Sequence, residues 1–257
     1  MKILVIPDVH LKPWIFSKAD EVLKNGGAER AVCLMDIADD WDMEENLALY
    51  RETFDTAISF AKRFPKTIWC RGNHDFSYLW GRRHSGYSDS ASTLVQVKVT
   101  ELQETVGDNR NMLFVAKIDD VLFSHGGIAA SFVRSIVPQR YRMDLDAVAE
   151  YINYRGSEYN MWTATSPLLY RPQYYSAFPG GPWTRDRAHN IRPYRPQDVL
   201  QVVGHTSVLI SGKSGIIKNG NIISCDTFST DRGRTMNGGN CFAVIDTKTW
   251  EYSELAA

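Results

Sequence analysis

The chain has 257 residues, 44% of them hydrophobic, and a formal net charge of −1 at pH 7. This length allows one large core, with or without an insertion, and the charge excludes a chain-wide attraction to nucleic acid or anionic membranes. No apolar run is long enough to span a bilayer, and Met1-Lys2 leads directly into a predicted strand, so we expect neither a membrane span nor a signal peptide. The cysteines lack CxxC spacing, which predicts buried free thiols and a cytoplasmic protein.

The first half of the chain alternates predicted strands and helices. Apolar spacing and helix-ending residues predict helices over residues 14–24, 44–63 and 90–106. The last of these contains Val95–Val99, whose alternation also fits a strand. This order of elements is typical of an α/β fold.

The second half is predicted to be rich in strands. Strands near residues 112–116 and 121–124 are expected to form a hairpin across Ile118-Asp119-Asp120. After Gly204, short apolar runs alternate with Asn-Gly turns, which predicts further strands. The natural arrangement is two mixed sheets flanked by helices. The predicted strands after Gly204 lie at residues 216–217, 222–224, 242–245 and 250–252.

Residues 131–196 differ from the rest of the chain in composition. They hold eight of the twelve tyrosines, seven of the ten prolines and nine arginines, but no lysine. Against five acidic residues, the nine arginines leave a local charge of +4. Proline stiffens loops, and guanidinium groups match phosphate geometry, so this segment is predicted to be an inserted cap. The alternative is a surface excursion whose tyrosines pack on the core.

Five short polar segments each follow an apolar, strand-like run. They are Asp8-Val9-His10, Asp36-Ile37-Ala38-Asp39, Arg71-Gly72-Asn73-His74-Asp75, Ser124-His125-Gly126-Gly127 and Gly204-His205-Thr206. Strand ends on one edge of an α/β sheet converge in space. Asp, His and Asn together supply the mixed oxygen and nitrogen donors that suit Mn, Fe or Zn. The pattern therefore predicts a metal-dependent hydrolase.

Together these segments resemble the calcineurin-like metallophosphoesterase superfamily. Arg-Gly-Asn-His, Ser-His-Gly-Gly and Gly-His-Thr are similar to its phosphoprotein phosphatase branch, which includes small bacterial and phage enzymes. The resemblance implies an αββα sandwich, with residues 1–257 as a single domain and residues 131–196 as the cap-like insertion.

The resemblance also implies a dinuclear metal centre with Asp36 as the bridging ligand. Two ions roughly 3.5–4 Å apart can share one carboxylate and a bridging hydroxide, which is then the nucleophile. Mn is the first choice of metal, and Fe, Zn and Co fit the same donors. The implied ligands are Asp8, His10 and Asp36 for the first ion and Asp36, Asn73, His125 and His205 for the second.

Two catalytic roles and two phosphate-binding roles follow from the same resemblance. His74 is implied to be the general acid, oriented by Asp39. Arg71 resembles the phosphate clamp of the family, and Arg185, in Trp183-Thr184-Arg185, resembles a second clamp. Asp75 is predicted to be a structural partner.

The chain departs from the family pattern at several positions. Met35 stands where a glycine normally precedes the bridging aspartate, and Asp40-Trp41 replaces the usual Arg-Gly, which removes one expected clamp. Arg82 or Arg83 could supply the missing positive charge. Ser207 stands where many phosphodiesterases carry another histidine, which predicts a more open first metal.

The leading functional hypothesis is a phosphomonoesterase of the Ser/Thr protein phosphatase type, acting on a phosphoprotein or a nucleotide. The alternative is a phosphatase or phosphodiesterase for dinucleoside polyphosphates, nucleotides or nucleic-acid ends. A non-catalytic scaffold is disfavoured because every expected ligand is present. We expect no membrane partner and no extended nucleic-acid binding, and the oligomeric state cannot be predicted.

Overall fold

The computed structural model has two stacked β-sheets with helices on their outer faces, which confirms the predicted fold class. Within the described residues, no helix is long and apolar enough to cross a membrane. The structure describes residues 1–81, 83, 86–107, 110–158, 193–205, 207–208, 215–230, 233, 235 and 238–257.

Eleven strands of the described chain form the two sheets. The strands are β1 (Lys2–Ile6), β2 (Arg30–Cys33), β3 (Ile68–Cys70), β4 (Met112–Leu113), β5 (Ala116–Ile118), β6 (Val121–Phe123), β7 (Leu200–Val203), β8 (Ile217–Asn219), β9 (Ile222–Ser224), β10 (Cys241–Asp246) and β11 (Tyr252–Ala256). The first sheet has the order β11-β10-β1-β2-β3-β4, and the second has the order β5-β6-β7-β9-β8. Strands β1 to β4 are parallel, as are β6, β7 and β9.

The helices are α1 (Trp14–Lys24), α2 (Leu47–Arg63), α3 (Asn73–Trp80), α4 (Ser92–Val106), α5 (Ala130–Ile136) and α6 (Leu145–Glu158). Helix α1 has the predicted bounds. Helix α2 begins later than predicted because the Asn46 side chain caps it, accepting a hydrogen bond from Leu49 N at 3.1 Å. The ambiguous Val95–Val99 stretch is helical, and α4 buries Val95 and Val99 on one face.

Three apolar layers hold these elements together. Side chains from the inner faces of both sheets, such as Val5 and Phe123, meet in the middle layer. Helices α1, α2 and α4 cover the outer face of the first sheet, with Phe16 and Trp69 at their contact. Helices α5 and α6 cover the second sheet. The sheets are thus buried on both faces, as the apolar strand sequences require.

The predicted strand over residues 112–116 is wrong. The chain leaves the first sheet after Leu113 and enters the second at Ala116. Between them, Phe114 N and Val115 N donate to Asn153 Oδ1 of α6, at 2.7 and 3.0 Å. A side chain therefore satisfies the amides that a continuous strand would have paired with its neighbour. The predicted hairpin consists of β5 and β6.

The remaining structural predictions have mixed outcomes. The four cysteines are buried free thiols, as predicted. The last strand begins at Tyr252 instead of residue 250, because Trp250 adopts a left-handed backbone (φ 60°). The first part of the cap-like segment forms α5 and α6, while residues 159–192 lie outside the described residues. The cap and the single-domain organisation stay predictions.

Candidate metal centre

Loops that follow parallel strands of both sheets meet at one point. The five predicted segments follow β1, β2, β3, β6 and β7, as expected. Backbone amides tie them together: His205 N donates to Asp8 Oδ1 at 2.8 Å, and His74 N donates to Asp36 Oδ1 at 2.9 Å. Polar groups up to 197 positions apart in sequence therefore surround a common centre.

Acceptor atoms crowd around one ring nitrogen of His125. Its Nδ1 lies 2.8 Å from the carbonyl oxygen of Leu34, which can only accept, so Nδ1 is the donor and Nε2 keeps its lone pair. A single cation satisfies several converging lone pairs that no N–H can satisfy together, so this geometry fits a metal ion. The atoms near His125 Nε2 are Asn73 Oδ1 at 3.0 Å, His205 Nδ1 at 3.1 Å and Asp36 Oδ2 at 3.1 Å.

A second group of ligand atoms adjoins the first. One ligand atom from each of Asp8, His10 and Asp36 lies within 4.8 Å of the others. His10 Nδ1 donates to the carbonyl oxygen of Asp39 at 2.8 Å, which leaves Nε2 as the ligand atom. The buried Asp8 Oδ2 has no hydrogen-bond partner among the described residues. A buried carboxylate oxygen without a donor also fits a cation.

Asp36 belongs to both groups, in the position expected of a bridging ligand. Burial opposes its ionisation, but His125 and His74 outweigh burial and hold the pKa of Asp36 well below its usual range. Burial, Asp226 and Asp36 together raise the pKa of Asp8 well above its usual range. Crowded carboxylates without a counter-ion produce such a shift, and cations would relieve it.

Two glycines and one strained turn allow this close approach. A Cβ atom added to Gly204 would collide with Asp8 Oδ2, and one added to Gly72 would collide with Asp36 Oδ1. Met35 and Asp36 both adopt positive φ angles, 64° and 43°. Position 35 therefore has a backbone that favours glycine, and the chain tolerates strain at Asp36, the residue expected to bridge.

His74 and Asp39 form a hydrogen-bonded pair beside the ligands. His74 Nδ1 donates to Asp39 Oδ2 at 2.9 Å. The other oxygen, Asp39 Oδ1, accepts from the hydroxyls of Tyr50 and Tyr78 at 2.8 and 2.5 Å. Burial lowers the pKa of His74, but Asp36 and Asp39 outweigh burial and raise it to about 9. The imidazole is thus held by a fixed carboxylate and can carry a proton.

The arginines predicted to bind phosphate lie in different surroundings. Arg71 is buried, and its guanidinium carbon lies 5.0 Å from the Phe76 ring centroid and 4.8 Å from that of Phe114. Arg185 lies outside the described residues, as does Arg82. Arg83 is exposed and pairs with Asp89 at 2.6 Å.

Asp75 lies directly beneath the bridging residue. Its carboxylate accepts hydrogen bonds from Ile37 N and Ala38 N, the nearest pair at 2.9 Å. It therefore fixes the backbone that follows Asp36, in agreement with its predicted structural role.

The sequence reasoning missed Asp226. It follows β9 and is buried, and Ser229 Oγ donates to both of its carboxylate oxygens, at 2.6 and 2.7 Å. Burial raises the pKa of Asp226, and His10 opposes that rise. After burial, the Asp226 charge is the next cause of the raised pKa of Asp8, so all three groups are neighbours. An acidic residue soon after an apolar strand was the available signal, because three of the five recognised segments share it.

A cleft of about 200 Å³ opens onto these groups. Three carboxylates, three imidazoles and one indole contribute to its wall, so a substrate here would meet both charge and an aromatic face. Its lining residues in the described chain are His10, Asp39, Asp40, Trp41, His74, Gly86, His205, Ser207, Asp226, Ser229 and Thr230.

Comparisons with solved structures show the same fold. A cold-active protein-tyrosine phosphatase of a Shewanella species is 17% identical, with a TM-score of 0.52 over 99% of this chain and 80% of that one. A serine/threonine protein phosphatase from Saccharomyces cerevisiae is 14% identical, with a TM-score of 0.52 over 100% of this chain and 80% of that one. A search of curated proteins gave no significant match.

The match to a family model is more specific than these likenesses of fold. The model described as calcineurin-like phosphoesterase matches residues 1–212. This range contains all the predicted ligands. The chain therefore belongs to the calcineurin-like phosphoesterase family and is a metal-dependent phosphoric ester hydrolase.

Proposed function

We propose that the chain is a phosphomonoesterase of the Ser/Thr protein phosphatase type that uses two divalent ions. One observation supports this most: the His74–Asp39 pair lies in the same cleft as the two ligand groups that share Asp36. A proton donor beside a dinuclear ligand set is the combination that phosphoester hydrolysis needs.

The ligand residues would hold the ions as two overlapping sets. Asp8, His10 and Asp36 would hold the first ion, and Asp36, Asn73, His125 and His205 the second. When bound, two divalent ions supply positive charge for the phosphoryl oxygens and lower the pKa of coordinated water. We propose Mn²⁺ as the ion, because mixed carboxylate, imidazole and amide donors suit it.

His74 would protonate the oxygen of the departing alcohol. Its Nδ1 donates to Asp39, so Nε2 is the nitrogen that would pass a proton to a substrate. The raised pKa keeps the ring protonated at neutral pH, which a general acid requires. Tyr50 and Tyr78 hold Asp39 in place, so the acid cannot rotate away from the cleft without breaking buried hydrogen bonds.

The surroundings of the first ligand group favour monoesters over diesters. Ser207 lines the cleft in the position where diesterase relatives carry another histidine, and the first group contains three residues. With only these three residues to hold an ion, the first group would leave room for more phosphoryl oxygens of a substrate. Arg71, and Arg185 outside the described residues, are proposed to bind those oxygens.

The more detailed part of the proposal is which group carries the phosphate that is removed. A phosphoprotein is our first choice, in a cytoplasmic setting. Trp41 at the cleft also offers a face on which a nucleobase could stack, which keeps nucleotides and dinucleoside polyphosphates as the second candidate.

Hydrolysis of matched model substrates tests the proposal. The Mn²⁺-loaded chain should hydrolyse an aryl monophosphate, and its kcat/KM for the bis-aryl diester should be much lower. The Asp36→Asn variant is the matched control, since it keeps the side-chain shape but removes the shared charge, and it should be inactive on both. A preference for the diester would contradict the monoesterase assignment.

A substrate panel then separates the two candidates. Phosphoserine and phosphothreonine peptides, mononucleotides and dinucleoside polyphosphates should be compared at equal Mn²⁺ concentration. The proposal predicts the highest kcat/KM for the peptides. A higher value for any nucleotide would replace the phosphoprotein choice with the second candidate.

A further inference from the structure

A buried ion pair lies behind the cleft. Lys12 Nζ is 3.1 Å from Asp40 Oδ2, and the two side chains are only 8% and 3% exposed. Lys12 Nζ also donates to the carbonyl oxygen of His10 at 2.8 Å. Burying two charges is costly unless their geometry and remaining hydrogen bonds are good, so such a pair needs a physical explanation.

The pair connects three of the loops that form the site. Lys12 belongs to the loop after β1, and Asp40 to the loop after β2. Asp40 Oδ1 accepts hydrogen bonds from Trp41 N, at 2.9 Å, and from the hydroxyl of Thr230, which belongs to the segment after β9. Asp40 thus joins side chains of the loop after β1 and of the segment after β9 to its own loop.

The connected loops carry strained residues with defined roles. His10 and Asp39 have φ angles of 43° and 62°, in the left-handed region that non-glycine residues seldom adopt. Each such residue persists only when its surroundings hold it. His10 Nδ1 donates to the Asp39 carbonyl oxygen, so the two strained residues are also joined directly.

Lys12 itself is turned away from the substrate. Asp40 contributes to the cleft wall, whereas Lys12 is not among the described residues that line it, and Lys12 is 6% exposed. A lone carboxylate facing the cleft would repel a phosphate group, and the lysine behind it offsets that charge. The positive charge of Lys12 therefore binds the loops of the site and does not face the substrate.

We propose that the Lys12–Asp40 ion pair is a positioning device that keeps His10 and Asp39 at a fixed separation. The pair would hold His10, a proposed ligand of the first ion, and Asp39, the partner of the proposed general acid His74, in one rigid unit. The inference rests on the proposed function for the roles of His10 and Asp39. Neither Lys12 nor Asp40 touches the reacting atoms in this account.

The test compares Lys12→Met, Asp40→Asn and the double variant. Each single variant leaves one buried charge without its partner and should be less stable to urea than the parent chain. The double variant removes both charges, so its stability should largely recover. Its Mn²⁺ affinity, measured by calorimetry, should stay about 10–100-fold weaker than that of the parent, the usual effect of losing groups that orient metal ligands.

A second readout works on the metal-free protein. In the parent chain the His10 Nδ1–H is hydrogen-bonded to Asp39 and should give a slowly exchanging imidazole N–H signal by NMR. The double variant should lose that signal. Because this signal needs no metal, its loss in the double variant would support the positioning role even if the parent chain bound no Mn²⁺, a result that would contradict the proposed function.

An ion pair elsewhere on the chain provides the matched control. Lys98 Nζ lies 2.6 Å from Asp55, and the lysine side chain is 13% exposed, but neither residue is among those lining the cleft in the described chain. Lys98→Met with Asp55→Asn should leave Mn²⁺ affinity and the His10 signal unchanged. A Lys12→Met/Asp40→Asn variant that recovers stability together with parental Mn²⁺ affinity and a parental His10 signal would overturn the inference.

Discussion

The carbonyl oxygen of Asp39 accepts a hydrogen bond from His10 Nδ1 at 2.8 Å. The side chain of the same Asp39 accepts one from His74 Nδ1 at 2.9 Å. One residue therefore orients both a proposed metal ligand and the proposed general acid, and the two imidazole rings meet edge to face at 5.3 Å. Small shifts of this residue are expected to affect metal binding and proton transfer together.

Replacing His74 by asparagine should slow turnover without loss of metal. His74 is in neither ligand group, so Mn²⁺ content should equal that of the parent chain. The rate should fall by roughly 10²–10⁴-fold on a poor leaving group, the usual contribution of general acid–base catalysis. Steady-state kinetics on aryl phosphates of increasing phenol pKa would check this. A loss that is equal for good and poor leaving groups would contradict the proton-donor role.

Removing the hydroxyl of Tyr78 should destabilise the fold and slow the proton transfer proposed for His74. This hydroxyl donates to Asp39 and accepts from Ser88 N at 2.8 Å, in a fully buried setting. Tyr78→Phe should lower the free energy of unfolding by about 1–3 kcal/mol, since buried partners are left unsatisfied. Urea unfolding measures this, and turnover should fall less than in His74→Asn.

Tyr87→Phe is the matched control for that substitution. The Tyr87 ring stacks on Tyr78 at 4.1 Å, but its hydroxyl pairs with Ser92 and does not touch Asp39. Its turnover should equal that of the parent chain. Equal loss of turnover in both variants would show that packing, and not the bond to Asp39, is responsible.

Gly204→Ala should damage the first metal site. The added methyl group would collide with Asp8 Oδ2, so either the ligand or the strand end must move. We expect Mn²⁺ affinity to fall by about tenfold or more, measured by calorimetry. Gly220→Ala is the control: it has a positive φ of 57° with open space around it, so it should lower stability and leave Mn²⁺ affinity unchanged. Parental affinity in Gly204→Ala would contradict the proximity of this glycine to a ligand.

Asp226→Asn should weaken metal binding while sparing the metal-free fold. Burial and, after it, the Asp226 charge raise the pKa of Asp8, so the two carboxylates repel each other. Removing the charge lowers the attraction for cations, and Mn²⁺ affinity should fall by about tenfold. The urea midpoint of the metal-free chain should be equal or higher. A lower midpoint with parental Mn²⁺ affinity would make Asp226 a purely structural residue.

The convergence of the proposed ligands could be predicted because these residues follow a local rule. Asp8, Asp36, Asn73, His125 and His205 each come within a few residues of the end of an apolar parallel strand. Sheet geometry then brings such ends together whatever their separation in sequence. Helix α1 was equally predictable, since its apolar spacing and the glycines after it are local features.

Features that depend on side-chain partners could not be predicted in this way. The Lys12–Asp40 ion pair is one example, since the two residues lie 28 positions apart in sequence. Asn153, on helix α6, accepts hydrogen bonds from Phe114 N and Val115 N between the two sheets, although it lies 39 and 38 positions away from them in sequence. Such contacts form only in the packed fold, and no periodic pattern in the sequence indicates them.

The central claim is that Asp36 is shared between two ions. Anomalous diffraction from crystals grown with Mn²⁺, recorded at the manganese absorption edge, tests it most directly. The account predicts two peaks roughly 3.5–4 Å apart, one bounded by Asp8 and His10, the other by Asn73, His125 and His205, with Asp36 between them. A single peak, or two peaks that do not share Asp36, would contradict it.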